Sequence, residues 1–403
     1  MGIIVQKFGG SSLATPENLF HVCKHVTKEY DKGNQVVVVV SAQGKTTDRL
    51  IKEEAEITEK PNKREHDVLV STGEQISIAK LCMCLNKLGY DAISLAGWQV
   101  PIVTDEFHGC ARIQELNGSR VNRELEDGKI VVIAGFQGVD MAGDITTFGR
   151  GGSDTTAVAI AASLEAERCD IYTDVDGVYS SDPRIINNVI KIQSISYDEM
   201  LELASLGAKV LHNRCVELGK KKGVPIFVKS SFKEESEGTL VTEKDENMEA
   251  LSISGVAKEG DVSRITLIGN ENQIGRTYQV FKLLADNKIN VDTIAQSFGE
   301  HICKDISFTV KTEELPKALS LLERHIKDLQ VKEIKHCSNL SKISVIGVGI
   351  VNNPGVAAGI FEALYENNIN MHMITTSEIK ISVLVNKKEA DIATRAIHDK
   401  FIK

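Results

Sequence analysis

The sequence predicts an α/β protein: a mostly parallel sheet with helices on both faces, followed by two small α+β units. Three observations carry that prediction. Short apolar runs alternate with helical patterns through residues 1–246, the rhythm of strand–helix–strand units that build parallel sheets. Five consecutive valines, Val36–Val40, suit a strand covered on both sides. The tail repeats itself: Ser263–Gly269 lines up with Ser341–Gly347, Phe281–Asn290 with Phe361–Asn370, and Ile306–Val310 with Ile381–Val385, in the same order.

Taken in chain order, Ile3–Lys7 reads as the first buried strand. Thr15-Pro16-Glu17 marks a helix start, with a capping hydroxyl, a proline at the first position and an acid after it. Leu19, Val22, Cys23 and Val26 then fall on one helical face. Ile130–Ala134 and Cys169–Thr173 are apolar runs followed by polar, Gly-rich turns. Ser196 and Glu199 have the spacing of a capping box for a helix through Leu203. Ile226–Val228 is the expected last strand, and the charged stretch Lys233–Asn247 the expected boundary of a catalytic region, 1–246. The tail divides into units 261–337 and 338–403, each reading strand, helix, strand, strand, helix. The first unit continues into a strand near Gln330–Lys335, whereas the second reaches Lys403 without one. The strand 249–257 is therefore expected to complete the second unit's sheet and interlock the pair.

Composition narrows the function. The 403 residues suffice for two or three domains. Hydrophobic residues at 42% and charged residues at 26% are ordinary for a soluble globular protein. Lys+Arg 47 against Asp+Glu 56 leaves −9, with no basic surplus for a nucleic acid backbone. Val36–Val40 and Ile130–Phe136 are too short to span a bilayer, so no membrane is expected. Eight scattered cysteines without metal-hook spacing read as reduced thiols in a cytoplasmic protein.

Several familiar patterns fail on inspection. Gly44-Lys45-Thr46 lacks the earlier glycine of a P-loop, since residue 39 is valine. Gly347-Val348-Gly349 lacks the third glycine of a dinucleotide fingerprint. Asp174-Val175-Asp176-Gly177 lacks the closing glutamate of a calcium loop. Other segments are suited to anions. Lys7-Phe8-Gly9-Gly10-Ser11-Ser12 follows the first strand, and paired glycines let N–H groups approach a phosphate. Gly149-Arg150-Gly151-Gly152-Ser153-Asp154 leads into an Ala-rich helix with Ser153 or Asp154 as its expected cap, and sets an arginine fork suited to a carboxylate beside free donors. Thr173–Tyr179, running on to Arg184, reads either as an Asx turn or as a nucleotide pocket with Tyr179 against the base. Lys209 is expected to start a helix, where a cation is disfavoured, and His212 beside it reads as structural. Glu74, in Ser71-Thr72-Gly73-Glu74, sits among apolar residues and needs a partner if buried: a substrate ammonium or a helix N-terminus.

In this order, and followed by a duplicated tail, Lys7–Ser12, Ser71–Glu74, Phe148–Ala157, Thr173–Arg184 and Gly207–His212 resemble the aspartokinases of the amino-acid-kinase superfamily, over essentially the whole chain. The resemblance implies the three-layer amino-acid-kinase fold with two C-terminal ACT-like (ferredoxin-like) units. It implies transfer of the ATP γ-phosphoryl group, with Mg2+ bridging the phosphates, to the side-chain carboxylate of L-aspartate, the first step towards lysine, threonine and methionine. Lys7, Lys209 and Asp154 would be catalytic. Thr47, Glu74, Arg150, Gly151, Gly152 and Ser153 would contact the substrate, Arg150 its α-carboxylate and Glu74 its ammonium. Lys7, Phe8, Gly9, Gly10, Ser41, Thr173, Asp174, Tyr179, Arg184 and Lys209 would contact ATP. The alternatives are a sister kinase acting on glutamate or acetylglutamate, and a catalytically inactive amino-acid sensor.

The tail has no phosphate loop and no nucleophile in a catalytic pattern, so it reads as regulatory. In ACT domains, which it resembles, an amino acid binds where two units pair. Asn272, Asn290, Asp292, Gln296, Asn370, Ser377 and Glu378 are the expected contacts for lysine and/or threonine. Pairing of units across chains implies a homo-oligomer, at least a dimer.

Overall fold

The computed structural model describes residues 2–205, 210–233, 236–243, 252–269, 275–298, 304–350 and 353–402. The chain divides into two units, Met1–Tyr179 with Lys191–Met248 and Ser180–Ile190 with Glu249–Lys403.

The first unit opens with β1 (Ile3–Phe8). The Thr15 hydroxyl then caps α1 (Pro16–Asp31), accepting from the Asn18 N–H at 3.2 Å. β2 (Gln35–Val40) buries each of its valines. The chain continues through α2 (Thr46–Ile57), α3 (Lys63–Lys87), β3 (Ala92–Leu95), β4 (Ile102–Thr104), β5 (Ile113–Leu116), α4 (Ser119–Glu126) and β6 (Ile130–Ala134). After β7 (Gln137–Val139) and β8 (Ile145–Thr147) come α5 (Gly152–Ser163) and β9 (Arg168–Thr173). β10 (Ser194–Ser196), α6 (Tyr197–Ser205), α7 (Asn213–Lys222), β11 (Ile226–Ser230) and β12 (Thr239–Thr242) complete the unit.

The main sheet runs β10-β12-β11-β9-β1-β2-β6-β3 and is parallel except between β11 and β12. Successive strand side chains face opposite ways, so burial of the whole valine run requires cover on both faces. On one face Phe8, Val36, Val38 and Val40 pack with Leu19, Val22, Leu81 and Leu85 of α1 and α3. The other face carries Lys7, which meets Asp154 of α5. By length and composition α3 could cross a membrane, but half of that stretch is buried within the structure, and Asp67, Ser71 and Glu74 are among its buried residues.

The structure corrects or adds to the expectations at three places. Ile226–Val228 does not end the sheet: β12 lies inside the stretch taken as a boundary, because Thr239 and Val241 point inward on alternate positions. α7 starts at Asn213, capped by His212, while the expected start at Lys209 lies outside the described residues. A small sheet, β5-β4-β7-β8, flanks the main one; its strands of three or four residues are too short to leave a period in the sequence.

The second unit is a six-stranded antiparallel sheet. Its elements are β13 (Ser252–Gly269), α8 (Arg276–Asp286), β14 (Ile294–Phe298), β15 (Lys304–Lys311), α9 (Leu315–Arg324), β16 (Val331–Val348), α10 (Pro354–Glu366), β17 (Met373–Ser377), β18 (Lys380–Asn386) and α11 (Ala390–Phe401). The order is β14-β15-β13-β16-β18-β17. Each of the two central strands serves both repeats. The first part of β13, Ser252–Glu259, pairs with Lys342–Val348, and its second part, Val262–Gly269, with Val331–Leu340. Two apolar cores result, one around Ile265, Val280 and Phe308 and one around Val256, Ile360 and Ile397. Residues Ser180–Ile190 belong to this unit. The Ser180 carbonyl accepts from the Val256 N–H at 2.7 Å, and its hydroxyl lies 2.9 Å from Nε2 of His398.

Candidate active site

The loops that follow β1, β2, β6 and β9 meet at the carboxyl edge of the main sheet. β1 is flanked by β2 and β9, so the chain departs from it in two directions, and open α/β sheets bind ligands at such a point.

Lys7, between Val39 and Ile171 in register, places its ammonium 2.7 Å from the Asp154 carboxylate, with both side chains close to nine-tenths buried. Removing two charges from water is costly unless they are paired. Gly9 and Gly10 follow. The Gly10 carbonyl accepts from the Gly44 N–H at 2.9 Å, and a Cβ on Gly10 would stand 2.6 Å from the Ala42 carbonyl oxygen. A side chain there would push apart the two loops that form the floor. Ser41 continues the ladder by donating its N–H to the Phe8 carbonyl at 3.1 Å. Thr47 lies in the first turn of α2.

Glu74 is 3% exposed. Its Oε1 accepts from the Ala42 N–H at 3.0 Å, while Oε2 is buried without a hydrogen-bond partner in the described structure. Burial pushes its pKa up to about 8, against the pull of the Ala42 N–H. Oε2 is thus a buried acceptor position that the described residues leave unfilled.

The glycine turn before α5 differs from expectation in one respect. Gly151, at φ +72, is the cap, and Ser153 and Asp154 lie inside the first turn. Asp154 is thereby free to face Lys7. A Cβ on Gly151 would collide with the His212 ring, and one on Gly135 with Ser153. Arg150 is exposed and makes no ion pair among the described residues.

On the nucleotide side, the Thr173 hydroxyl donates to Asp174 at 2.9 Å. The Tyr179 hydroxyl donates to Asp176 at 2.7 Å, and that hydrogen bond pushes its pKa up to about 12. Arg184 is not brought to this group within the first unit. It belongs to the second, where its guanidinium grips Asp182 at 2.7 Å. Lys209 lies outside the described residues. Sequence reasoning included Ser12 only within the Lys7–Ser12 segment and missed Ser231. Their hydroxyls meet at 2.8 Å, and the Ser231 N–H donates to the Thr173 carbonyl at 2.9 Å, which ties the β1 loop to the β9 loop. The Ser230-Ser231 pair at the end of β11 was the available signal.

In the second unit, Asn290, Asn370, Gln296, Ser377 and Glu378 are exposed, and Asn272 lies outside the described residues. Gln296 and Ser377 sit on β14 and β17, the two edge strands of the sheet order. Asp292 already holds the Lys342 ammonium at 2.6 Å, which Glu259 shares at 2.7 Å.

Comparison with known proteins bears on this site. The amino acid kinase family matches residues 2–230, and the ACT domain matches residues 265–326 and 343–401. The chain is 49% identical over 401 residues to an aspartokinase of Geobacillus stearothermophilus, covering all of this chain and 97% of that protein. It is 47% identical over 401 residues to aspartokinase 2 of Bacillus subtilis, covering all of this chain and 98% of that one. Among solved structures it resembles E. coli aspartokinase III in complex with aspartate and ADP (R-state), with TM-score 0.80, 26% identity and full coverage of both chains. The same enzyme in complex with lysine and aspartate (T-state) matches with TM-score 0.77 and 25% identity, again over both full chains.

Proposed function

The chain belongs to the amino acid kinase family as an aspartokinase, and on that premise we propose roles for its residues in moving the γ-phosphoryl group of ATP to the side-chain carboxylate of L-aspartate. The products are 4-phospho-L-aspartate and ADP. A carboxylate oxygen forms a bond to phosphorus as the bond from phosphorus to the ADP oxygen breaks, and no proton need move. Charge neutralisation, rather than acid–base chemistry, is what the site must supply.

The buried Lys7–Asp154 pair beside Gly9 and Gly10 is the observation that carries this reading. Asp154 aims the Lys7 ammonium at the phosphate edge, and the glycine N–H groups cradle the phosphates. Lys209 supplies a second cation. Oε2 of Glu74 takes the substrate ammonium, and Arg150, with Gly151, Gly152 and Ser153, takes the α-carboxylate. Ser41 and Thr47 line the same floor. Thr173, Asp174, Tyr179 and Arg184 are the residues we assign to the nucleotide. Mg2+ accompanies ATP and spreads phosphate charge when bound; the exposed carboxylate of Asp174, next to Thr173, fits a ligand for it.

We assign catalysis to residues 1–246 and regulation by lysine and/or threonine to the tail, with units 261–337 and 338–403 and the strand 249–257 completing the second. The exposed edge strands β14 and β17, with Ile294 53% and Ile374 43% exposed, support a homo-oligomer of at least two chains. The free thiols of the described cysteines fit a cytoplasmic enzyme. The test is coupled ADP release with L-aspartate, L-glutamate or no acceptor. Release dependent on L-aspartate is expected, and release with glutamate alone would replace the substrate.

A further inference from the structure

Arg150 carries its charge on an exposed side chain, yet the backbone around it is held at residue after residue. Asp67, fully buried in α3, accepts from the Thr147 hydroxyl at 2.7 Å and from the Thr147 N–H at 2.9 Å. The same carboxylate accepts from the Gly109 N–H at 2.9 Å and lies 3.1 Å from Nδ1 of His108. Gly109 in turn abuts the turn, since a Cβ on Gly149 would stand 2.9 Å from the Gly109 carbonyl oxygen. From the other side, Arg214 donates to the Phe148 carbonyl at 3.1 Å and to the Ala111 carbonyl at 2.7 Å. Its guanidinium lies over the Phe148 ring, 5.7 Å from the centroid.

Arg214 is spent on main-chain carbonyls, and Asp67 is divided between main-chain and side-chain donors. Arg214 has no carboxylate within ion-pair distance among the described residues, and Asp67 gathers two backbone N–H groups besides two side chains. A buried carboxylate with four hydrogen-bond partners and an arginine bridging two carbonyls hold the backbone of this loop in place. Three of these bonds end on Thr147 and Phe148, directly before the Gly149-Arg150 turn, and the others hold the neighbouring segment His108–Ala111.

We propose that Asp67 and Arg214 are positioning residues that set the Arg150 guanidinium for the substrate α-carboxylate, and so determine affinity for the amino-acid substrate. The proposal rests on the reading of Arg150 as the α-carboxylate ligand. A lysine at 214 could not bridge both carbonyls with a planar fork. An asparagine at 67 would present two N–H hydrogens where the pocket supplies only donors.

The experiment is steady-state kinetics on full-length Arg150→Ala, Asp67→Asn, Arg214→Lys and Thr147→Val, with each of the last three also combined with Arg150→Ala. Thr147→Val removes one hydroxyl donor and keeps the proposal testable if Asp67→Asn fails to fold. Each single variant is expected to raise the aspartate KM by on the order of tenfold, with kcat and the ATP KM within about twofold, as for loss of uniform binding. In the Arg150→Ala background the other changes should add nothing to the aspartate KM. Arg214→Lys or Thr147→Val with an unchanged aspartate KM, beside a raised KM in Arg150→Ala, overturns the positioning roles alone. Additive effects in the double variants, or parallel rises in both KM values, also overturn them. An unchanged aspartate KM in Arg150→Ala overturns the reading of Arg150 and the proposal with it.

Discussion

The Lys7 ammonium and the Asp154 carboxylate, 2.7 Å apart, make a partly dehydrated cation that is already aimed before substrate binds. Replacing Lys7 by Ala removes one transition-state contact and should lower kcat by on the order of a hundredfold; turnover of the purified variant measures this. Glu74 gives a pH signature. Burial raises its pKa to about 8, above the ordinary 4.5. The folded state therefore holds a proton there that the unfolded chain has released, and ligand-free stability should fall as pH rises from about 4.5 to about 8. Binding runs the other way, because an ammonium ligand needs the carboxylate. The aspartate KM should fall towards pH 8. Glu74→Gln should show a higher KM and a flatter profile in both kinetics and thermal melts. Lys7 and Glu74 were legible in the sequence because a charge in an apolar strand or helix has to be explained. Asp67 and Arg214 were not, since Arg214 holds main-chain carbonyls and the partners of Asp67 lie 41, 42 and 80 residues away in sequence, where no local pattern links them.

At the level of elements, local chemistry fixed the starts of α1 and α6, where a hydroxyl side chain caps. The predicted box forms: the Ser196 hydroxyl and N–H both donate to Glu199 Oε2, at 2.6 Å and 3.1 Å, and the Glu199 N–H returns a 3.3 Å bond. Glu199→Ala should cost about 1 kcal/mol in chemical denaturation. Where the backbone itself makes the cap, side chains misled. The α5 start was read onto Ser153 or Asp154, but Gly151 in the left-handed region holds it. Gly151→Ala meets both the positive φ and the His212 ring, so it should destabilise by about 1–3 kcal/mol and depress activity. Adding His212→Ala should recover only part of the stability, because the backbone strain stays. The tail repeat was readable from three matched segments. The continuity of β13 and β16 through both repeats was not, because Lys258–Asp261 and Lys335–Asn339 look like polar breaks although they are strand residues beside bulges.

For the whole molecule, the chain crosses between units after Tyr179 and again after Ile190. Tyr179, proposed as a nucleotide contact, is thus one peptide bond from Ser180, which the second unit holds through Val256 and His398. A ligand that shifts the second unit between two arrangements can act on the nucleotide segment through that bond, provided it binds one arrangement better. Typical coupling of about 1–3 kcal/mol corresponds to roughly 5–150-fold in affinity. Two kinds of variant should then separate. Gln296→Ala and Glu378→Ala, at the proposed effector contacts, should raise the effector concentration needed for half-inhibition while leaving uninhibited kcat unchanged. Ser180→Ala, which loses the hydroxyl facing His398, should instead lower the maximal inhibition while the effector's affinity stays near its original value. Dose–response curves with lysine, threonine and their mixture, on wild type and the three variants, measure both quantities. Curves for Ser180→Ala that reach the wild-type plateau would remove this linkage from the regulatory route, and insensitivity of the wild type to both amino acids would remove their proposed role in the tail.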